Sequence, residues 1–265
     1  MRLAAFQMDA RGGDVAANLS MIADAAVEAK AAGAALMVAP ELATTGYGAG
    51  EAIRDLAEPD NGDQVVAIQA MARKHKIMLT VGFAERSEGK IYNSAVFAHP
   101  DGRRKIYRKC QLYGEYEREL YEPGDQPSTV FSIGPLKVGI LICFDVEFPE
   151  MVRSLAVAGA DLVLVPTAQP DTPDAAFIAE KIVPVRAFEN GIAIAYADHA
   201  GRDSRFAYAG RSCIALPDGS DGARAPASGS CVIVADYKPE NFAEARLANP
   251  YLAERRFDFP IAAGR

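Results

Sequence analysis

The chain has no tryptophan, and only three histidines and four cysteines occur among its 265 residues. The cysteines show no zinc-site spacing and are too few for the disulfide scaffold of a secreted protein of this size. The longest apolar runs are far shorter than the roughly 20 residues needed to span a bilayer. The N-terminal residues, MRLAAFQMDA, are too polar for a signal peptide. The sequence therefore predicts reduced thiols and a cytoplasmic protein without a membrane span.

Positive charge is scarce as well. Lys and Arg number 28 against 35 Asp and Glu, which gives a net charge of −7 at pH 7. Such a balance argues against a nucleic-acid-binding protein. Half of the residues are apolar and about a quarter are charged, which is typical of a globular chain and not of a disordered or fibrous one. The length is enough for one large α/β domain.

Hydrophobic periodicity alternates between the strand and helix periods along the whole chain. The predicted strands are Arg2 to Met8, Ala35 to Ala39, Ile77 to Phe83, Ile91 to Ala98, Arg103 to Arg108, Leu136 to Ile142, Asp161 to Val165, Ile192 to Tyr196, Ser212 to Leu216 and Cys231 to Ala235. The predicted helices are Asp14 to Ala32, Gln64 to His75, Glu150 to Ala158 and Asp174 to Asn190. No linker or repeat interrupts this pattern, so residues 1–265 are predicted to form one α/β domain with helices outside the sheets. The charged tail, residues 238–265, is expected to pack on a neighbouring subunit.

Three polar side chains stand where predicted strands end: Glu41, Lys109 and Cys143. In α/β folds, ligands bind in the crevice beyond the strand ends. A thiol attacks poorly until a neighbouring group takes its proton, so a carboxylate and an ammonium beside it would make a nucleophilic site. Taken singly, a Cys at a strand end is usually a small core side chain, and a Glu or Lys in a loop is usually solvated. Spacing alone leaves both interpretations open.

The surroundings of these residues resemble a known family. The matching segments are Pro40-Glu41 with Thr45-Gly46-Tyr47, Tyr107-Arg108-Lys109, and Gly139 to Glu150 around Cys143. Together they are similar, in order and spacing, to the three signature blocks of the nitrilase superfamily of carbon–nitrogen hydrolases. Within it, the segments that follow Lys109 and Cys143 and the tail sequence Asn249-Pro-Tyr-Leu are similar to the 5-aminopentanamidase and stereoselective amino-amide amidase branch.

The resemblance implies a four-layer α-β-β-α sandwich that forms a homodimer or a higher homo-oligomer and uses no cofactor or metal. It implies that Cys143 is the nucleophile, Glu41 the general base and Lys109 the group that stabilises the tetrahedral oxyanion. A second glutamate of the family positions the substrate amide. The spacing to Pro123-Gly124 selects Glu117 for this role, and Glu115 remains the alternative.

The same resemblance suggests residues that would contact the substrate. The backbone N–H of Phe144 would face the oxyanion, and Tyr47 and Tyr113 lie in segments that would line the pocket or pack in the core. Glu147 stands where relatives that take carboxylate-bearing substrates have Arg, so the charge is reversed here. If Glu147 faces the pocket, it favours an ammonium-bearing substrate; otherwise it faces away and pairs with an arginine such as Arg153.

Histidine and metal chemistry are not favoured by the sequence. His75, His99 and His199 are each expected to be surface or loop residues, which disfavours a Cys–His protease. Asp145 and Glu150 are expected, from the resemblance, to bond the turn that presents Cys143. The predicted function is hydrolysis of a short, amine-bearing primary carboxamide, such as 5-aminopentanamide or an amino-acid amide. The alternatives are a nitrilase, an N-carbamoyl amidohydrolase and a non-catalytic scaffold; no nucleic-acid or membrane partner is expected.

Overall fold

Two six-stranded β-sheets form the centre of the computed structural model, which describes residues 1–256. The first sheet has the order β12-β1-β2-β3-β4-β5 and the second the order β11-β10-β9-β8-β7-β6. The strands are β1 Arg2–Gln7, β2 Leu36–Val38, β3 Met78–Ser87, β4 Lys90–Ala98, β5 Arg104–Arg108, β6 Phe131–Ile133, β7 Leu136–Ile140, β8 Leu162–Pro166, β9 Ala193–Ala197, β10 Cys213–Ala215, β11 Asp221–Arg224 and β12 Cys231–Asp236. Each sheet has a parallel centre, β1-β2-β3 in the first and β7-β8-β9 in the second, with antiparallel strands outside it.

Helices cover the outer face of each sheet. The α-helices are α1 Val15–Ala31, α2 Ile53–Leu56, α3 Asp63–His75, α4 Gly114–Leu120, α5 Pro149–Val157, α6 Ala175–Phe177, α7 Val183–Asn190 and α8 Ala243–Ala248. Shorter turns are the 3₁₀ segments Tyr47–Ala52, Cys143–Glu147 and Pro239–Phe242 and the π segment Ile178–Ile182. Buried side chains of α1 and α3 pack on the first sheet, and those of α5 and α7 pack on the second. The chain is thus a four-layer α-β-β-α sandwich.

Alternation along β1 shows why the sheets stack as they do. Leu3 and Ala5 belong to the core shared with the second sheet, whereas Ala4 and Phe6 pack with Ile22 of α1. Successive side chains of a strand point to opposite faces. Because full burial of a large apolar side chain contributes about 1.5–3 kcal/mol, a slip of one residue would exchange the two cores, so the pattern fixes the register.

The predicted strands and helices occur in the structure with small differences at their ends. The sequence did not predict α2, α4, α8, β6 and β11, and the helix predicted from Asp174 to Asn190 contains a π segment at Ile178–Ile182. The missed elements are short: β6 has three residues, and β11 has four that are all at least partly exposed. Such segments carry too little hydrophobic periodicity to be recognised.

The strands β2, β5 and β7 carry the residues of interest to the same end of the sandwich. β3 is parallel to β2, and β4 and β5 each reverse direction, so β5 runs parallel to β2. Glu41 and Lys109 follow the ends of β2 and β5, and Cys143 follows β7 in the second sheet. The three side chains expected to form the site therefore come together only if this end of the first sheet lies against the same end of the second.

The described part of the tail contacts its own chain. Arg246 of α8 donates to the Gly191 carbonyl at 2.7 Å, and the Tyr251 ring lies against Phe188 with centroids 5.9 Å apart. Residues 257–265 of the predicted tail lie outside the described residues, and its packing on a neighbouring subunit stays a prediction, as does the homodimer. Across residues 1–256, no helix combines the length and the apolar character that a membrane span needs.

Candidate active site

A buried ammonium group lies at the centre of the site. Lys109 Nζ is 2.7 Å from Glu41 Oε1 and 2.6 Å from Glu117 Oε1, and all three side chains are fully buried. Burial alone would lower the pKa of Lys109, but Glu117 and Glu41 more than offset this and raise it well above its ordinary value. Lys109 therefore keeps a positive charge that can face an anion.

Only one of the two carboxylate oxygens of Glu41 accepts hydrogen bonds from the described residues. Oε1 accepts hydrogen bonds from Asn93 Nδ2 at 2.6 Å and from Lys109 Nζ. Oε2 is buried and has no hydrogen-bond partner among the described residues. Burial raises the pKa of Glu41 to about 7, against the lowering effect of Lys109. A carboxylate in this state is able to take up and return a proton near neutral pH.

Glu117 is held by hydrogen bonds to both of its carboxylate oxygens. Tyr47 OH donates to Oε1 at 2.9 Å, beside Lys109, and the backbone N–H of Tyr113 donates to Oε2 at 2.8 Å. Glu115, the alternative from the sequence, is exposed on the outer side of α4. The geometry thus places Glu117 beside Lys109 and removes Glu115 from the site, because these two residues of the short helix point in different directions.

Cys143 sits at a strained turn just after β7. Its backbone φ is +47°, a left-handed value that a non-glycine residue adopts at some cost. The turn is fixed by Asp145, which accepts hydrogen bonds from the amides of Ile142 and Gln111 at 3.1 and 2.8 Å. Tyr107 OH donates to the same carboxylate at 2.9 Å. Asp145 has the structural role expected from the sequence, whereas Glu150 is exposed at the start of α5.

The thiol of Cys143 is neutral when the site is at rest. Burial, followed by the charge of Glu41, raises the pKa of this thiol well above its ordinary value, and Lys109 opposes the shift. The side chain is 5% exposed and feels the charges of Glu41, Lys109 and Glu117. A neutral thiol becomes a strong nucleophile only when a base removes its proton, so the arrangement calls for Glu41 as that base.

The residues expected at the pocket wall take different positions. Phe144 lies in the first turn of the 3₁₀ segment after β7, where the first N–H groups have no helical acceptor. Its ring contacts those of Tyr113 and Phe148, with centroids 5.2 and 4.9 Å apart. Tyr47 is 2% exposed and packs against Tyr116 and other rings. Tyr47 thus holds one carboxylate oxygen of Glu117, and its contact with substrate stays a prediction.

Glu147 carries a half-buried carboxylate that forms no ion pair within residues 1–256. Arg153, the partner considered from the sequence, instead lies 3.9 Å from Glu189, so that alternative is wrong. Arg186 donates to the backbone carbonyl of Glu147 at 2.8 Å and not to its carboxylate. Burial raises the pKa of Glu147 to about 7, while Lys109 and Arg186 lower it. The charges of Lys109 and Arg186 therefore both act on its carboxylate.

His199 was expected at the surface or in a loop; it lies in an irregular segment after β9, but it is buried and not at the surface. The side chain is 1% exposed, and its Nε2 lies 2.7 Å from the backbone carbonyl oxygen of Glu41. The sequence offered only its position after a predicted strand, which does not reveal a cross-sheet contact. A search of the described chain finds no three His, Cys, Asp or Glu side chains grouped as a metal site would require.

The Glu117–Glu115 pair gives a matched test of the site. Glu117→Gln should lower kcat by about 10²–10³-fold, because a neutral amide weakens the electrostatic support of Lys109 and the orientation of the substrate. Glu115→Gln, two residues away on the same helix, should leave kcat within a factor of two, since Glu115 is exposed. Steady-state ammonia release measures both variants. Equal kcat values for the two variants would show that Glu117 has no role in the reaction.

Known proteins are similar to this chain over nearly its whole length. The family model of carbon-nitrogen hydrolases matches residues 2–247. A protein of Pseudomonas protegens named "Hydrolase in pqqF 5'region" is 38% identical over 97% of this chain and 89% of its own length. An (R)-stereoselective amidase of Pseudomonas sp. is 37% identical over 62% of this chain and 59% of its own.

A solved structure of similar shape comes from Nesterenkonia sp. AN1. It is a mutant of an amidase from the nitrilase superfamily, with a TM-score of 0.86 and 34% identity, and the alignment covers 97% of this chain and 95% of that one. Other mutants of that amidase hold the acetamide moiety of fluoroacetamide covalently at the active-site cysteine, or butyramide as a complex.

Proposed function

Because this chain belongs to the carbon-nitrogen hydrolase family, we propose that it is an amidase whose substrate is a short primary carboxamide bearing an amine, such as 5-aminopentanamide or an amino-acid amide. The products are the carboxylate and ammonia. One observation carries the proposal: Lys109 is clamped between Glu41 and Glu117, and the second oxygen of Glu41 is left without a partner. A purely structural ion-pair cluster has no need of a buried, unsatisfied carboxylate oxygen.

The first half of the proposed reaction forms a thioester. Glu41 takes the proton of Cys143 as the sulfur attacks the amide carbon, and the carbonyl oxygen becomes an oxyanion. Lys109 and the Phe144 amide stabilise that oxyanion. Glu41 then gives the proton to the amide nitrogen, the carbon–nitrogen bond breaks, and ammonia leaves. The covalent adducts at the cysteine of the Nesterenkonia amidase support the nucleophilic role of Cys143.

The second half returns the free enzyme. Glu41 takes a proton from water, and the hydroxyl attacks the thioester carbon, with the oxyanion again stabilised by Lys109. The carbon–sulfur bond breaks, Glu41 returns its proton to the sulfur, and the carboxylic acid leaves and loses its proton to water. A single base serves both halves because its pKa of about 7 lets it take and return protons near neutral pH.

The preference for an amine on the substrate depends on Glu147. Its half-buried carboxylate has no ion-pair partner within residues 1–256 and lies close enough to Lys109 to feel its charge. An ammonium group at the far end of a bound amide would supply the missing positive charge, whereas a carboxylate would be repelled. The short amide bound by a mutant of the Nesterenkonia amidase, butyramide, supports the size of the substrate.

A matched substrate panel tests the proposed function. It comprises 5-aminopentanamide, pentanamide and glutaric acid monoamide, together with the nitrile and the N-carbamoyl compound of the aminated chain. Ammonia release should give the highest kcat/KM for 5-aminopentanamide. A higher kcat/KM for the nitrile or the carbamoyl compound would contradict the amidase assignment and make the protein a nitrilase or an N-carbamoyl amidohydrolase. If no compound is turned over, the result would favour a non-catalytic scaffold.

Activity should depend on pH through Glu41. Since burial raises the pKa of Glu41 to about 7, the carboxylate is protonated at lower pH and is then unable to take the thiol proton. With neutral pentanamide, kcat/KM should fall by about tenfold per pH unit below that value. Rates measured between about pH 5 and pH 8 test this. The same profile in Glu147→Gln would assign the fall to Glu41, and a flat profile would contradict the role of Glu41 as base.

Removing the charge of Glu147 should change selectivity and not chemistry. Glu147→Gln should lower the kcat/KM ratio of 5-aminopentanamide to pentanamide by about tenfold, because it removes the attraction for the ammonium group. The control is Glu150→Gln, an exposed carboxylate three residues further along, which should leave the ratio unchanged. If the ratio is the same in wild type and Glu147→Gln, the charge of Glu147 does not select the substrate.

A further inference from the structure

The candidate catalytic groups come from two different sheets. Glu41 and Lys109 follow strands of the first sheet, and Cys143 follows a strand of the second. Proton transfer between Glu41 and Cys143 therefore depends on how the two sheets are placed at this edge. A contact that ties the Glu41 turn to the second sheet would fix the distance between the carboxylate and the sulfur.

Two hydrogen bonds make this tie at the backbone of Glu41. Its N–H donates to the carbonyl of Thr167, just after β8, at 3.3 Å. Its carbonyl lies 2.7 Å from His199 Nε2, from the segment after β9. Both partners lie in segments that follow strands of the second sheet, and the shorter bond is made by the histidine side chain. Both the N–H and the carbonyl of Glu41 are thus hydrogen-bonded to residues that follow strands of the second sheet.

The surroundings of His199 define which nitrogen carries the proton. Nδ1 lies 3.3 Å from the carbonyl of Met8, and Nε2 lies 2.7 Å from the carbonyl of Glu41. Both neighbours are carbonyl oxygens, which only accept hydrogen bonds, so a ring nitrogen bonded to either of them carries an N–H. The shorter distance assigns this N–H to Nε2, where it donates to Glu41.

The position of His199 is itself fixed by the junction between the sheets. The amide of Met8, which follows β1, donates to the carbonyl of Asp198 at 3.3 Å, and Ala200 N–H donates to the carbonyl of Met8 at 2.8 Å. The imidazole ring packs against Tyr208 with centroids 5.2 Å apart. The donor is therefore held in place before any substrate binds.

The turn that His199 holds is under constraint. Leu42 has a left-handed φ of +48°, and a Cβ on Gly82 would come within 2.6 Å of the Glu41 Cα. A non-glycine residue in this conformation persists only when its surroundings impose it. Removing the donor would leave the Glu41 carbonyl buried and unpaired, so the turn would shift toward another partner.

We propose that His199 is a positioning residue that ties the Glu41 turn to the second sheet and so sets the geometry of proton transfer between Glu41 and Cys143. This inference rests on the proposed function for its effect on turnover. It does not need turnover for its effect on the thiol, because Glu41 takes the thiol proton in any reaction of Cys143. The two effects are measurable separately.

The experiment compares His199→Gln with His199→Asn. The longer amide side chain reaches about as far as Nε2 and keeps a donor for the Glu41 carbonyl, whereas the shorter one ends before it. Amide turnover gives kcat and KM, and alkylation of Cys143 by methyl vinyl sulfone, a small neutral reagent that is not an amide, gives its reactivity without turnover when resolved by peptide mass spectrometry. Tyr237→Phe is the control, since it removes another buried bond to a carbonyl, that of Asp161, far from the site.

His199→Asn should lower kcat by about 10²-fold at nearly unchanged KM, because a small displacement of a catalytic group costs about this much. It should also slow alkylation of Cys143 at least tenfold, with His199→Gln restoring most of both rates. Tyr237→Phe should lower the Tm and leave both rates unchanged. If both histidine variants alkylate Cys143 at the wild-type rate, the inference is wrong whatever the fate of the amidase assignment. If wild type turns over no amide but the alkylation contrast holds, only the proposed function fails.

Discussion

Cys143→Ala should lower ammonia release by at least about 10⁴-fold, because no other group in the site is able to form the acyl intermediate. Glu41, Lys109 and Glu117 are buried and hydrogen-bonded to one another independently of the sulfur, so the variant should fold. Alanine removes a single heavy atom, which keeps the cavity and its effect on stability small. The measurement is steady-state ammonia release at saturating amide, with circular dichroism to check folding.

The control for this variant is Cys231→Ala. Cys231 is a partly exposed free thiol on β12, an edge strand of the first sheet, and its loss should leave kcat within a factor of two. Turnover by Cys143→Ala at a tenth of the wild-type rate or more would show that the sulfur is not the nucleophile. Equal losses in both variants would point to a general sensitivity to thiol removal.

Glu41→Gln should have the second largest effect, a loss of kcat of about 10³-fold. The amide side chain keeps the size of the carboxylate, but it is not a base and leaves the thiol of Cys143 protonated, since burial raises the pKa of that thiol. KM should change little, because the shape of the pocket is kept. Pre-steady-state ammonia release should show the loss already in the first turnover, as acylation is the step that needs the base.

Glu58→Gln provides the matched control for Glu41→Gln. Glu58 accepts a hydrogen bond from the amide of Gln64 at 2.8 Å and lies outside the site, so its loss should leave kcat unchanged. A fast first turnover followed by slow steady-state release in Glu41→Gln would limit the role of Glu41 to the second half of the reaction. An unchanged kcat would exclude Glu41 as the base.

The sequence predicted the fold and the three strand-end residues because both depend on local patterns. Apolar alternation in β7 and a continuous apolar run in β8 mark buried strands, and Glu41, Lys109 and Cys143 lie just after strands that the pattern reveals. The family resemblance then supplied the pairing of the two sheets, which periodicity alone does not contain. The family match over residues 2–247 confirms that resemblance.

Other parts of the site could not be predicted because they depend on three-dimensional contacts. The choice between Glu115 and Glu117 depends on the orientation of α4, which is only seven residues long. The pairing of Arg153 with Glu189 left Glu147 without the partner that the sequence suggested. His199 reaches the Glu41 carbonyl from 158 residues away along the chain, a separation over which a single sequence carries no signal.

Hydroxylamine trapping during turnover tests the thioester at Cys143 most directly. Hydroxylamine competes with water for an acyl-enzyme, so wild type should form the hydroxamate at the expense of the carboxylate, in proportion to the hydroxylamine concentration. Ammonia release should not fall, and Cys143→Ala should form no hydroxamate. If wild type releases ammonia and the carboxylate stays the sole acyl product at every hydroxylamine concentration, water attacks the amide directly and the covalent account is wrong.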